Sequence, residues 1–280
     1  MKKLFALVLA LTVLLCGCGN TAPDPTEAPT TQVTEAPTEA PTEAPTEAPT
    51  EAPTEAPTEA PTEAPTEAPT EPAFPLHCGI REDGTFDEGT LFIGDSLTYG
   101  LVTNYLTDND LLGDARYMAV PGAALSAYFN GARLNSSKSP YPAYSKEFNN
   151  LKMCDAVEVA GEQTTAIYFM MGTNYSKSAD ENTYVEIVDH LLASCPNATV
   201  FLEIVPVDES PKVKYERATE WVNYVYDHFQ AEGNERVFLI DTQTAIGHNL
   251  STDGIHLTTQ GQECWYQELV SFAVANNIPQ

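Results

Sequence analysis

The sequence predicts an α/β domain in which a parallel β-sheet is covered by helices on both faces. Three observations lead there. Four short runs, Leu91–Ile93, Thr165–Met170, Thr199–Val205 and Val237–Ile240, are almost continuously apolar, as strands buried on both faces are. Segments with apolar residues at helical spacing lie between and after them. The alternation of the two is what a parallel sheet with crossover helices requires. The part of the 280-residue chain that holds them, residues 73–280, has the size of one such domain.

Taken in order, Leu91-Phe92-Ile93 runs directly into the small polar turn Gly94-Asp95-Ser96. Tyr117–Val120 is a weaker strand. Thr165–Met170 ends just before Gly172-Thr173-Asn174. A helix is predicted over Asp180–Leu192, behind a capping Ser178, because Tyr184, Ile187, Val188, Leu191 and Leu192 fall on one face. Trp221, Val222, Val225 and Phe229 mark a second helix within Tyr215–Phe229. Asp241 ends the strand Val237–Ile240 as a turn or cap residue. A last helix starts near Thr259 and carries Trp265, Leu269, Phe272 and Ala273. Ligands bind at the carboxyl ends of the strands in open parallel sheets. Gly94–Ser96 and Gly172–Asn174 are therefore placed at the functional edge.

The chain before residue 73 has another character. Lys2 and Lys3 precede an apolar run, Leu4–Leu15, in the pattern of a secretory signal. The run is shorter than the ~20 residues of a spanning helix. It ends in Leu15-Cys16-Gly17-Cys18, which resembles a bacterial lipoprotein cleavage box. The resemblance implies removal of residues 1–17, acylation of Cys18 and attachment to the extracellular face of the membrane. Residues 18–72 form a stalk. Thr-Glu-Ala-Pro repeats without interruption from Thr34 to Pro69 and has too little apolar surface to offset ordering entropy. The regular prolines and glutamates favour extension.

The formal net charge is −27. Only 12 of the 40 acidic residues precede residue 73, so the folded region is acidic too. Such a surface repels nucleic acid and anionic lipid, which leaves the lipid anchor as the expected membrane contact. Of six cysteines, Cys78, Cys154, Cys195 and Cys264 fall in the domain. Outside the cytosol they are compatible with two disulfides, or with buried free thiols in a domain large enough to fold without them. Their spacing does not suit zinc, and no metal or organic cofactor is expected. His190 and His228 fall inside helical patterns, and nothing in the sequence gives His77 or His248 a role.

Three polar segments carry chemistry: Gly94-Asp95-Ser96-Leu97, Gly172-Thr173-Asn174 and Asp253-Gly254-Ile255-His256. The first supplies a serine at a strand end, and the last a carboxylate and an imidazole three residues apart. With Gly122 between the first two, these blocks resemble, in order, those of the GDSL or SGNH family of serine esterases and lipases. The resemblance implies the three-layer, flavodoxin-like SGNH hydrolase fold. It implies Ser96 as nucleophile, His256 as base and then acid, and Asp253 as the group that orients the imidazole. It assigns the oxyanion hole to the backbone N–H groups of Ser96 and Gly122 and the side-chain amide of Asn174. The serine lies outside a Gly-x-Ser-x-Gly elbow, since Thr98 replaces the second glycine.

The expected protein is a surface-anchored serine esterase acting on carboxylic esters, with short acyl groups, acetyl above all, on carbohydrate as the favoured substrate. The alternatives are a lipase or thioesterase acting on lipid acyl groups, and a catalytically weak binding module. The carbohydrate reading leans on Tyr128, Phe129, Tyr141 and Tyr144, set among Asn130, Asn135, Ser136 and Ser137. These rings either stack on sugars or pin a long loop to the domain.

Overall fold

Six strands form a single sheet in the order β3-β2-β1-β4-β5-β6. The computed structural model describes residues 74–135, 137, 142–174, 181–206 and 215–279, all within one compact unit, Pro65–Gln280. The expectations for the signal segment, Cys18, the stalk, Ser136, Tyr141, Ser178 and Asp180 lie outside the described residues. The strands are β1 (Thr90–Gly94), β2 (Arg116–Ala119), β3 (Ala143–Tyr144), β4 (Ala166–Met170), β5 (Thr199–Glu203) and β6 (Val237–Ile240). The helices are α1 (Ser96–Gly100), which continues as a π-helix over Leu101–Leu106, then α2 (Ala127–Asn130), α3 (Met153–Ala160), α4 (Glu181–Ser194), α5 (Tyr215–Ala231), α6 (Thr242–Ile246) and α7 (Thr259–Ala275).

Five strands run parallel, as expected, but the sheet is not wholly parallel. β3 pairs antiparallel with β2, Met118 opposite Tyr144 and Ala119 opposite Ala143. With only two residues, β3 has too little pattern to be read as a strand. Alternate residues along each strand point to opposite faces, and this sorts the core into two layers. Leu91, Ile93, Ile167, Phe169, Val200 and Leu202 pack under α2 to α5. Phe92, Tyr168, Phe201 and Ile240 pack under α1, α6 and α7. The result is a three-layer α/β arrangement, as the resemblance implies.

The register aligns Phe92, Tyr168, Phe201 and Phe238 across β1, β4, β5 and β6. Their rings form a ladder with centroids 5.2, 4.8 and 5.8 Å apart. Such pairs add about 0.5–1.5 kcal/mol each beyond the area they bury. At the outer side of β6, Gln230 Nε2 donates to the Val237 carbonyl at 3.1 Å. Asp241 caps α6, accepting from Thr244 N at 2.9 Å and from Thr244 Oγ1 at 2.7 Å.

Candidate active site

β1 turns into α1 with no intervening loop. A Cβ on Gly94 would lie 1.9 Å from Thr98 Oγ1 and 2.6 Å from the Met170 carbonyl, so only glycine lets the helix rise directly from the strand end. Asp95 is the N-cap, with Oδ1 accepting from Leu97 N at 3.0 Å. Ser96 is thereby the first helical residue, and its hydroxyl takes no part in capping. Asp95 is fully buried. Its Oδ2 accepts from Thr173 N at 3.3 Å and from the Thr173 hydroxyl, tying the β1 turn to the loop after β4. Burial pushes this carboxyl upward, and the bonds from Thr173 and Leu97 work against that.

The second part of the site comes from the loop before α7. Leu250 and Leu257 form an antiparallel bridge, and Ser251 N donates to His256 O at 2.6 Å. Gly254 takes φ +71, a conformation open to glycine, and this reverses the chain between Asp253 and His256. Asp253 Oδ1 accepts from Ser251 Oγ at 2.6 Å and from the backbone N–H groups of Ile255 and His256 at 3.0 Å each. The hydrogen bond from His256, then those from Ser251 and Ile255, hold the Asp253 carboxyl well below the usual carboxylate range. α7 follows at once, capped by Thr258 Oγ1, which accepts from Gly261 N at 3.1 Å.

The two parts meet. His256 Nδ1 lies 2.6 Å from Asp253 Oδ2, and its Nε2 lies 3.1 Å from Ser96 Oγ. Asp253 can only accept, so Nδ1 carries the proton, and in the neutral imidazole Nε2 is then bare and accepts from the Ser96 hydroxyl. The pair is shallow: the side chains of His256 and Asp253 are 51% and 47% exposed. Ser96 and His256 also wall a cavity of about 210 Å³ with Tyr99, Gly100, Asn104 and Gln262.

The three donors expected for an oxyanion differ in their state. Gly122 has φ +77 and no atom within 4 Å of a Cβ position, so its conformation and not crowding calls for glycine. Neither its N–H nor that of Ser96 has a hydrogen-bond partner among the described residues. Asn174 forms a bridge with Ala124, which brings the loops after β2 and β4 together. Its Nδ2, however, is engaged with Thr173 Oγ1 at 3.0 Å, Ala123 O at 3.1 Å and Asp95 Oδ2 at 3.4 Å.

Asp95, Tyr99, Asn104 and Gln262 are site residues that the sequence alone did not single out. Asp95 had a signal, since it stands inside the Gly-Asp-Ser-Leu block. The other three become visible only once α1, its π-helical continuation and α7 are brought side by side. Of the two readings of the aromatic residues, Tyr128 follows the second. This ring is fully buried, and its hydroxyl contacts His190 Nδ1 at 2.9 Å, so it pins the loop and faces no ligand. Phe129 packs partly buried against the same core. His228 lies 3.5 Å from Glu232. Cys78, Cys154, Cys195 and Cys264 are free thiols. Among the described residues, no three His, Cys, Asp or Glu side chains are grouped to hold a metal.

Glu203, the last residue of β5, is buried with neither carboxyl oxygen hydrogen-bonded. Burial pushes its carboxyl up to about 8. The Trp265 indole draws it back slightly without a well-formed hydrogen bond. In the unfolded chain a glutamate ionises near pH 4.5. Below that value both states keep the proton and the group contributes no pH dependence. Between pH 4.5 and about 8 only the folded state holds the proton. Stability is therefore expected to fall as pH rises through this window, by up to about 1.4 kcal/mol per unit. Glu203→Gln is expected to remove most of that slope, measured as denaturant midpoints at pH 5 and pH 8. An unchanged difference between the two midpoints would assign the slope to other groups.

The sequence profile of the GDSL-like Lipase/Acylhydrolase family matches residues 92–264, a span that contains every site residue described above. No protein among the curated sequences compared with the chain matches it. Among solved structures, the family 3 carbohydrate esterase of Clostridium thermocellum is 12% identical over 67% of this chain and 95% of its own, with a TM-score of 0.46. The family 3 carbohydrate esterase of Talaromyces cellulolyticus is 15% identical over 67% and 96%, with a TM-score of 0.42. A member of the lipolytic protein G-D-S-L family from Veillonella parvula is 15% identical over 65% and 96%, with a TM-score of 0.44. The profile match spans well over half of the chain, and on that ground the chain belongs to the GDSL-like lipase/acylhydrolase family and is an ester-cleaving serine hydrolase.

Proposed function

We propose that the protein is a surface-anchored esterase that removes short acyl groups, acetyl above all, from carbohydrate by way of Ser96, His256 and Asp253. The observation that carries the catalytic part is the hydrogen-bonded line from Asp253 Oδ2 through His256 to Ser96 Oγ. In this reading Ser96 Oγ adds to the ester carbonyl and its proton passes to His256 Nε2. Asp253 stabilises the resulting imidazolium. The N–H groups of Ser96 and Gly122 receive the oxyanion, and Asn174 joins them by giving up one of its internal contacts. The proton then moves to the alcohol oxygen as the C–O bond breaks. Water, deprotonated by the same imidazole, hydrolyses the acyl-serine and regenerates the free hydroxyl.

The shallow placement of His256 and Asp253 favours a polymer substrate, whose chain runs past the site. The small cavity beside Ser96, where Asn104 and Gln262 stand among Leu97 and Leu257, favours a compact hydroxylated alcohol over a lipid. The test is kcat/KM across acetyl, butyryl and octanoyl esters together with acetate release from acetylated glycans. Activity is expected to fall as the acyl chain lengthens. A rise toward octanoyl with no acetate released would replace this reading with a lipid substrate.

The anchoring part of the proposal rests on Leu15-Cys16-Gly17-Cys18 and on the repeat that follows. Acylated Cys18 would hold the protein at the outer membrane face, and the stalk would carry the domain outward by between about 40 and 170 Å. Cys18→Ala is expected to move the protein out of the membrane fraction with its specific activity unchanged. Persistence in the membrane fraction would remove the anchor.

A further inference from the structure

We propose that the cavity beside His256 is the leaving-group subsite, and that it takes one hydroxylated ring, a sugar unit, through the side-chain amide of Gln262. The inference rests on Ser96 as nucleophile and His256 as its base. In that reaction the proton held on His256 Nε2 must pass to the alcohol oxygen. That oxygen therefore comes within hydrogen-bond reach of Nε2, and the rest of the alcohol lies against His256. The cavity fits this position, because Ser96 and His256 are two of its walls. Gly122, Ala123 and Asn174, on the oxyanion side, are not among its lining residues.

The chemistry of the walls selects the ligand. Gln262 is 8% exposed, and its side-chain amide has no hydrogen-bond partner among the described residues. The amide opens onto the cavity and reaches solvent there, and a ligand hydroxyl that takes the place of solvent keeps it paired. The amide offers donors and an acceptor together, and sugar hydroxyls both donate and accept. Asn104 adds a second amide and Tyr99 an aromatic ring. The helix opposite makes room for this arrangement: a Cβ on Gly100 would lie 2.9 Å from Gln262 Nε2. Size sets the limit. At about 210 Å³ the cavity falls below the roughly 300–1,000 Å³ of drug-sized ligand pockets, so it accommodates one ring. An alkyl alcohol placed there leaves the Gln262 amide unpaired, and this is how a polar site rejects an apolar analogue.

The test compares wild type, Gln262→Leu and Gly100→Ala as full-length proteins on three acetate esters: a monoacetylated methyl glycoside, p-nitrophenyl acetate and butyl acetate. Wild type is expected to prefer the glycoside to butyl acetate. Gln262→Leu keeps side-chain volume but cannot hydrogen-bond. It is expected to lower the ratio of kcat/KM for glycoside to that for p-nitrophenyl acetate about tenfold. Gly100→Ala, which crowds the amide without removing it, shifts the same ratio in the same direction by less. A ratio unchanged in Gln262→Leu, or no wild-type preference for the glycoside, overturns the subsite while Ser96-dependent cleavage of p-nitrophenyl acetate keeps the catalytic reading intact. Cleavage of p-nitrophenyl acetate that persists in Ser96→Ala overturns the catalytic reading itself, and the subsite with it.

Discussion

Ser96→Ala and His256→Ala are each expected to reduce ester hydrolysis by about three orders of magnitude or more, and combining them is expected to add little to the loss of either alone. The size follows from how the two groups work. A serine hydroxyl is a poor nucleophile unless a base takes its proton as it attacks, and the base is useless without the hydroxyl. Their only side-chain link is the 3.1 Å contact between Oγ and Nε2, so each variant breaks the same step. Folding should not suffer. Ser96 does not cap its helix, a task done by Asp95, and the His256 ring is half exposed. The check is kcat/KM on p-nitrophenyl acetate beside a thermal melt. Retention of most turnover in either folded variant, or losses that multiply in the double variant, would dismiss the proposed relay.

Asn174→Ala is expected to lower kcat by about 10²–10³ with a smaller change in KM. An amide that meets charge only in the transition state acts on kcat. In the resting protein this amide is held by Thr173 Oγ1 and Ala123 O. The substrate oxyanion has to win it from these two acceptors and from the longer contact to the Asp95 carboxyl at 3.4 Å, and the negative charge of the intermediate, absent from the ground-state carbonyl, is what shifts the competition. The same contacts make Asn174 a strut between the loops after β2 and β4, so a modest fall in melting temperature should accompany the kinetic loss. A change confined to KM, or a collapse in stability with kcat retained, would leave Asn174 as a strut alone.

Long, strongly patterned elements were legible in the sequence. β1, β4 and β5 are buried on both faces and β6 in part, and their near-continuous apolar runs reflect it. α5 ends within two residues of its expected span, and α7 begins where Thr259 places it. Short elements set by tertiary context were not legible. β3 exists because two residues reach the edge of β2. α1 exists because Gly94 allows an abrupt turn and Asp95 caps it, and a five-residue helix has too few positions to show a period. At the site, Asp253 and His256 stood out as a carboxylate and an imidazole three residues apart, and the family resemblance supplied their pairing, which the structure shows at 2.6 Å. Asp95 could not be recognised as a clamp, since its partner Thr173 is 78 residues away. The two readings of Tyr128, stacking on a sugar or pinning its loop, could not be separated for a related reason: the partner of its hydroxyl, His190 on α4, is 62 residues away.

The two ends of the sheet carry a further consequence. A strand edge with free backbone groups is a template for pairing with another chain. Here one edge is the two-residue β3, too short to hold a foreign strand in register, and at the other Gln230 already occupies the Val237 carbonyl. Among the described residues, copies of this domain crowded side by side therefore meet one edge two residues long and another with an acceptor already taken, and both features work against edge-to-edge pairing.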